Sequence, residues 1–286
     1  MTRLLVTGAA GQLGTELLAV ASARGVECIG TAHADVDIVD AYAVMNVVEK
    51  VRPTHIIHAA AWTAVDNCEA DPSKALAVNG QGTANVAAAA RRAGAHVTYV
   101  STDYVFDGTK VGPYVETDRT NPVSSYGRSK LAGEQALSSL DAIVRISWVC
   151  GYTGGNMVKT ILRIAENQEV LSFVDDQRGH PTFADDAGAR IVDLALANVA
   201  GIWHVTNQGE VSWFEFAREV LIAAGLDPDR VRPILTADLQ PPRPAPRPTN
   251  SVLQNKAMSD AGWPMLDDFR VPLKRLVDRL MSDSTK

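Results

Sequence analysis

Tyr126-Gly-Arg-Ser-Lys130 sets a phenol and an ammonium four residues apart, on one face of a predicted helix. A lysine beside a phenol stabilises the phenolate and draws its pKa from about 10 toward neutrality. A phenol held in that way can give its proton to a carbonyl oxygen as hydride reaches the carbon. Thr102, in Val100-Ser101-Thr102-Asp103-Tyr104, follows a predicted strand and offers a hydroxyl to the same oxygen. Asp103 either shapes the turn after that strand or faces the reacting molecule with its neighbour Tyr104. Taken alone, a Tyr–Lys pair on a helix face is common; Thr102, Tyr126 and Lys130 together form a candidate catalytic set.

A second group of residues could hold the hydride donor. Thr7-Gly8-Ala-Ala-Gly11-Gln-Leu-Gly14 directly follows the first apolar run and opens a helical stretch. Gly8 permits a tight turn, Gly11 lets the backbone approach a pyrophosphate, and Gly14 allows close helix–strand packing, with Gln12 and Leu13 between them. The helix start adds free N–H groups and the positive end of its dipole. The second strand ends Gly30-Thr31-Ala32-His33, with no carboxylate before Asp35. A ribose 2′-phosphate therefore meets no built-in repulsion, and NADPH is the expected cofactor with NADH tolerated. Asp37 either reaches the adenine edge or starts the next turn.

These residues need elements to position them. Leu4–Val6, Cys28–Ile29, His55–Ile57, Val97–Val100 and Ile143–Ile146 are short apolar runs without polar alternation, the pattern of strands buried on both faces. Between them Gln12–Arg24, Ala41–Val51, Ser73–Ala93 and Tyr126–Leu140 are predicted helices. The succession implies an α/β fold: a doubly wound parallel Rossmann sheet with a smaller, interleaved C-terminal substrate domain. The dinucleotide-binding domain is expected over 1–150, with 184–206 returning to it, and the substrate domain over 151–183 and 207–286. Asn156–Asn167 and Ala184–Ala197 read as helices and Gly201–Thr206 as a strand. Ser212-Trp-Phe-Glu215 is a capping box, and the last helix has Leu273, Leu276, Val277 and Leu280 on its apolar face. Pro241–Pro248 is too proline-rich for helix or central strand; it is either a linker or an ordered segment laid across a cleft.

Composition excludes several other classes. The 286 residues carry 27 basic and 33 acidic side chains, a net charge of −6, which disfavours nucleic-acid binding through a broad positive field. No apolar run approaches the roughly 20 residues needed to cross a bilayer, and no leader pattern precedes Gly8, so a cytoplasmic protein is expected. Cys28, Cys68 and Cys150 lie far apart, and His180 and the other histidines lack ligand spacing, so no metal site is expected from protein side chains. A homodimer could pair through 103–125 or the last helix, and a Mg²⁺ bridged by carboxylates at such an interface would leave no readable mark.

The motifs together resemble the extended short-chain dehydrogenase/reductase superfamily. Within it, Ala59-Ala-Ala-Trp-Thr63-Ala-Val65-Asp66, Ser101-Thr-Asp-Tyr-Val-Phe-Asp-Gly108, Arg145-Ile-Ser-Trp148, Asp176-Gln177-Arg-Gly-His-Pro181-Thr182 and Arg247-Pro-Thr-Asn250-Ser251 are similar to the dTDP-4-dehydrorhamnose reductase family. The resemblance implies NAD(P)H-dependent reduction of the 4-keto group of a dTDP-4-keto-6-deoxyhexose, with dTDP-4-dehydro-L-rhamnose giving dTDP-L-rhamnose. It implies that Thr102, Tyr126 and Lys130 are catalytic, that Ala60, Ala61 and Thr63 line the cofactor, and that Val65, Tyr104 and Trp148 flank the sugar. For the nucleotide the candidates are Arg247, whose guanidinium matches phosphate geometry, with Asn250, Asn156 and Gln177. Asn156 is equally an N-cap, and Asn79 is expected to hold the catalytic loop by hydrogen bonds. The rival readings are reduction of another nucleotide-linked deoxy sugar, as in antibiotic pathways, and a non-catalytic regulatory subunit that binds a dinucleotide. A dehydratase is disfavoured because Asp103 is followed by Tyr104 rather than a second acid.

Overall fold

The computed structural model describes residues 2–284. Strands β1 (Arg3–Thr7), β2 (Glu27–Thr31), β3 (His55–His58), β4 (His96–Thr102) and β5 (Ala142–Ile146) alternate with helices. Those are α1 (Gln12–Ala23), α2 (Ala41–Val51), α3 (Val65–Ala70), α4 (Pro72–Ala75), α5 (Gly82–Ala93) and α6 (Ser125–Gln135). The remainder holds β6 (Val149–Cys150), α7 (Met157–Asn167), β7 (Leu171–Val174), β8 (Arg178–Gly179), β9 (Thr182–Phe183), α8 (Ala184–Leu196) and β10 (Gly201–His204). It ends with β11 (Val211–Ser212), α9 (Trp213–Ala223), β12 (Val231–Ile234), α10 (Lys256–Asp260) and α11 (Arg270–Ser284).

Six strands form one sheet in the order β10-β5-β4-β3-β1-β2, and every neighbouring pair is parallel. Order reverses beside β1, so the carboxyl ends of β1 and β4 open onto a shared crevice. Alternate residues of β1 divide between two cores. Leu4 and Val6 pack with Leu17 of α1 and Ile191 of α8 on one face. Leu5 packs with Val44 of α2 and Val86 of α5 on the other. A third core joins α7, α9, α11, β7 and β12 through Val158, Ile161, Phe216, Val220, Val231, Leu273 and Val277. The apolar face expected for the last helix is thus buried there, with Leu280 packed at its edge.

Two predicted helices differ from those observed. Ser73–Ala93 is interrupted by a π-helical turn over Leu76–Gln81, between α4 and α5. The wide turn carries Asn79, which is fully buried and bonded across to the 59–63 segment, so a polar tertiary contact overrides the regular helix. Tyr126–Leu140 stops at Gln135, because Asp141 accepts from the Ser138 N–H and hydroxyl and closes a turn instead. Pro241–Pro248 is neither helix nor strand and is tied down rather than loose: Ala245 is buried and its N–H donates to Asp66 at 3.1 Å. Among the described residues no helix is long and apolar enough to cross a membrane.

Candidate active site

The crevice has a volume of about 970 Å³ and is lined by the glycine loop, the ends of β1, β2 and β4, the 59–65 segment, Tyr126, Lys130 and Trp148. Its size matches a site for a small ligand or cofactor. Gly11 caps α1 without any side-chain acceptor, so the first-turn N–H groups keep their donors for a ligand. A Cβ on Gly14 would lie 2.1 Å from Gly8 O, which only glycine avoids. Gln12, Leu13, Ala60, Ala61 and Thr63 line the same wall, as do His33 and Asp37. Asp37 also accepts from the Val39 N–H at 3.0 Å, while Asp35 is turned back onto the Ala32 N–H at 2.8 Å.

The structure brings Thr102, Tyr126 and Lys130 together at the end of β4. Ser124 caps α6 through the Gly127 N–H at 3.1 Å and places Tyr126 in its first turn. The helix seats directly on the turn after β4, since a Cβ on Gly127 would fall 2.2 Å from Tyr104 O. The Tyr126 hydroxyl meets Thr102, and its ring stands edge-on to Tyr104 at 5.6 Å. Burial raises the Tyr126 phenol well above its ordinary range, and the Asp103 charge adds to this. Lys130 lies one turn on; its ammonium donates to Val100 O at 2.7 Å and sits 4.1 Å above the Tyr99 ring. Burial pulls that ammonium down to about 7, against the pull of Glu134. Helix spacing alone suggests Lys130 lowering the phenol; in the fold, desolvation of both groups is the larger effect.

Buried polar groups support this arrangement. Asn79 accepts from the Trp62 N–H at 2.7 Å and donates to Trp62 O at 3.0 Å and Ser129 Oγ at 2.9 Å. It therefore ties the 59–63 loop to α6. Behind it His58 bridges Thr7 Oγ1 at 2.7 Å and Thr83 Oγ1 at 3.1 Å, with burial holding it near 3 and neutral. Sequence reasoning missed His58, because a histidine in an apolar strand carries no local signal of its partners.

Val65, Tyr104, Trp148 and Trp213 also line the crevice. Trp213, unforeseen, stacks on Trp148 at 3.6 Å between ring centroids. Trp148 adopts φ +45, a region few non-glycine residues visit, and Gly179 leaves room for its indole. Lys74, also unforeseen, lines the crevice with its ammonium 4.6 Å over the Trp62 ring. Four other candidate residues lie outside that lining and engage protein partners. Arg247 makes two bonds to Asp66, at 2.7 and 2.8 Å. Asn250 donates to Lys110 O and Gly112 O, both at 2.8 Å. Gln177 donates to Thr236 Oγ1 at 2.8 Å, and Asn156 caps α7 while donating to Gln12 Oε1 at 2.9 Å.

A doubly wound sheet with this crevice at its switch point defines the class: an α/β protein of Rossmann type with a ligand crevice at the carboxyl edge of the sheet. The profile of the RmlD substrate binding domain matches residues 1–282. A dTDP-4-dehydrorhamnose reductase of Mycobacterium tuberculosis is 41% identical over 280 residues, covering 95% of this chain and 91% of the relative. A dTDP-4-keto-6-deoxy-D-glucose reductase of Streptomyces niveus is 38% identical and covers 99% of each chain. The crystal structure of dTDP-4-dehydrorhamnose reductase from Bacillus anthracis in complex with NADP superposes with a TM-score of 0.91 at 35% identity, over 99% of this chain and 100% of that one. The chain belongs to the dTDP-4-dehydrorhamnose reductase family.

Proposed function

We propose that the protein reduces the 4-keto group of a dTDP-4-keto-6-deoxyhexose with NADPH, and that dTDP-4-dehydro-L-rhamnose is its substrate. The observation that carries the reading is the meeting of Thr102, Tyr126 and Lys130 in one crevice with the glycine loop. The uncapped start of α1 and the close Gly8–Gly14 turn fit a dinucleotide pyrophosphate, and the NADP complex of the relative supports the choice. NADPH, bound along Gly8, Gly11, Gln12, Leu13, Gly14, Asp37, Ala60, Ala61 and Thr63, supplies the hydride. Tyr126 donates its proton to the ketone oxygen, Thr102 orients that oxygen, and Lys130 holds the ribose and offsets the phenolate charge.

Val65, Tyr104 and Trp148 cover the apolar faces of the sugar, and Asp103 lies beneath it. The nucleotide contacts assigned to Arg247, Asn250, Asn156 and Gln177 each require a ligand to compete with the protein bonds described above. In this reading residues 1–150 and 184–206 hold the cofactor, and 151–183 with 207–286 hold the sugar nucleotide. The name of the Streptomyces relative favours a second reading, reduction of a 4-keto-6-deoxy-D-glucose nucleotide. Following NADPH absorbance with each keto sugar nucleotide, with NADH in parallel, tests both. Consumption that needs the sugar and fails in Tyr126→Phe is expected. Turnover by Tyr126→Phe equal to the parent overturns the assignment.

A further inference from the structure

Asp103 is 2% exposed and its carboxyl is unevenly served. Oδ1 accepts the Thr102 hydroxyl at 2.9 Å, whereas Oδ2 is buried with no hydrogen-bond partner. The neighbouring Ser251 hydroxyl donates to Arg178 O at 3.3 Å and lies close enough to Asp103 to hold its carboxyl down in part. Tyr104 and Tyr126 face Asp103, and Lys130 of α6 is turned to Val100 O. Beyond Tyr104 the Arg247 and Arg243 charges are directed at Asp66, and the Arg178 guanidinium at Glu210 and Glu215. None of these cations reaches the orphan oxygen. An ionised carboxyl in such a place is costly.

The count of donors around Thr102 gives this a consequence. A threonine hydroxyl has one hydrogen and two lone pairs. With Asp103 ionised, that hydrogen goes to Oδ1, while the Tyr104 N–H fills one lone pair at 3.2 Å. The Thr102 hydrogen then points away from a ketone oxygen in the crevice. With Asp103 protonated, the carboxyl donates to Thr102 Oγ1 and takes the second lone pair. The Thr102 hydrogen is released toward the crevice.

We propose that Asp103 is a positioning residue whose protonation turns the Thr102 hydroxyl onto the substrate ketone and whose ionisation turns it away. The inference rests on the reductase reading above. Burial raises the Asp103 carboxyl to about 6, so the switch falls within the working range of pH. Lys130, held near 7, loses its charge above that point and supplies a second alkaline limb.

The test compares the pH dependence of kcat in the parent and in Asp103→Asn, whose amide is a permanent donor. The parent should lose turnover as pH rises through about 6, and the variant only near 7. From one protonation equilibrium, the variant-to-parent ratio should climb about fivefold between about pH 6 and about pH 7. Asp103→Glu, which restores a titrating carboxyl, should bring the lower limb back. An alkaline limb with the same midpoint in parent and Asn variant overturns the proposal, as does an Asn variant that binds NADPH but is dead at every pH. A second readout needs no variant and no turnover: carboxyl ¹³C NMR of the NADPH-bound parent labelled at aspartate. One aspartate titrating near 6 is expected, and all of them titrating below about 5 overturns the inference. Failure of the reductase reading is seen separately, as Tyr126→Phe turning over like the parent.

Discussion

Two buried carboxylates sit at the end of β4, and they are treated in opposite ways. Glu134 accepts from Ser101 Oγ at 2.6 Å and from Arg145 Nε and Nη2 at 2.9 and 2.7 Å, so both of its oxygens are served. Arg145 is itself buried and lies over the Phe106 ring at 5.1 Å. Two residues after Ser101, just past the end of the strand, Asp103 keeps an oxygen with no donor and is raised to about 6. The Ser101–Glu134–Arg145 side is closed and faces the core; the Thr102–Asp103–Tyr126 side is open to the crevice. A buried carboxylate with both oxygens served holds structure, and one left with an orphan oxygen is where a change of protonation can do work.

The comparison can be broken from either side. The largest effect belongs to the open side: Tyr126→Phe should lower kcat by about 10²–10⁴ while thermal stability and NADPH affinity stay near those of the parent. A comparable loss of NADPH binding would show that Tyr126 serves the fold instead.

On the closed side, Glu134→Leu strands the Arg145 charge and should cost about 3–5 kcal/mol in denaturant unfolding. Adding Arg145→Met to it should recover most of that loss, because the orphaned cation is then removed. A single variant as stable as the parent would mean that Arg145 finds another partner.

His58 sharpens the contrast through pH. Its folded pKa is held near 3, below the unfolded value, so its contribution is full above about 6.5 and is lost as pH falls toward 3. His204 acts in the same direction, and Asp103, raised rather than lowered, opposes them between about 4 and 6. Replacing His58 by Asn should therefore reduce the slope of unfolding free energy against pH by about 1.4 kcal/mol per pH unit between about 4 and 6. An unchanged slope would mean that His58 is protonated in the fold.

The smallest effect belongs to the half-buried clamp on the proline-rich segment. Asp66→Asn should cost about 0–1 kcal/mol, since the Asp66 carboxylate is one-third exposed, yet speed protease cleavage within 241–248. Cleavage at the parent's rate would show that the prolines alone hold the segment.

Much of the site was legible because its signals are local. The glycine loop states its own turn, and helix geometry puts Tyr126 and Lys130 on one face before any tertiary contact exists. Unalternating runs such as Leu4–Val6 and His55–Ile57 announce burial on both faces, so sequence by itself determined the parallel sheet and the crevice at its carboxyl edge. What it could not state are contacts between residues far apart in the chain. Asp66 and Arg247 meet across 181 positions, Gln177 finds Thr236, and Trp213 slides onto Trp148. The direction of the Lys130 ammonium and the orphan oxygen of Asp103 belong to the same class. Propensity and periodicity act over a few residues, whereas desolvation and hydrogen-bond satisfaction depend on everything packed around a group. Tertiary structure alone therefore decided which of two neighbouring carboxylates found donors for both oxygens and which kept one without.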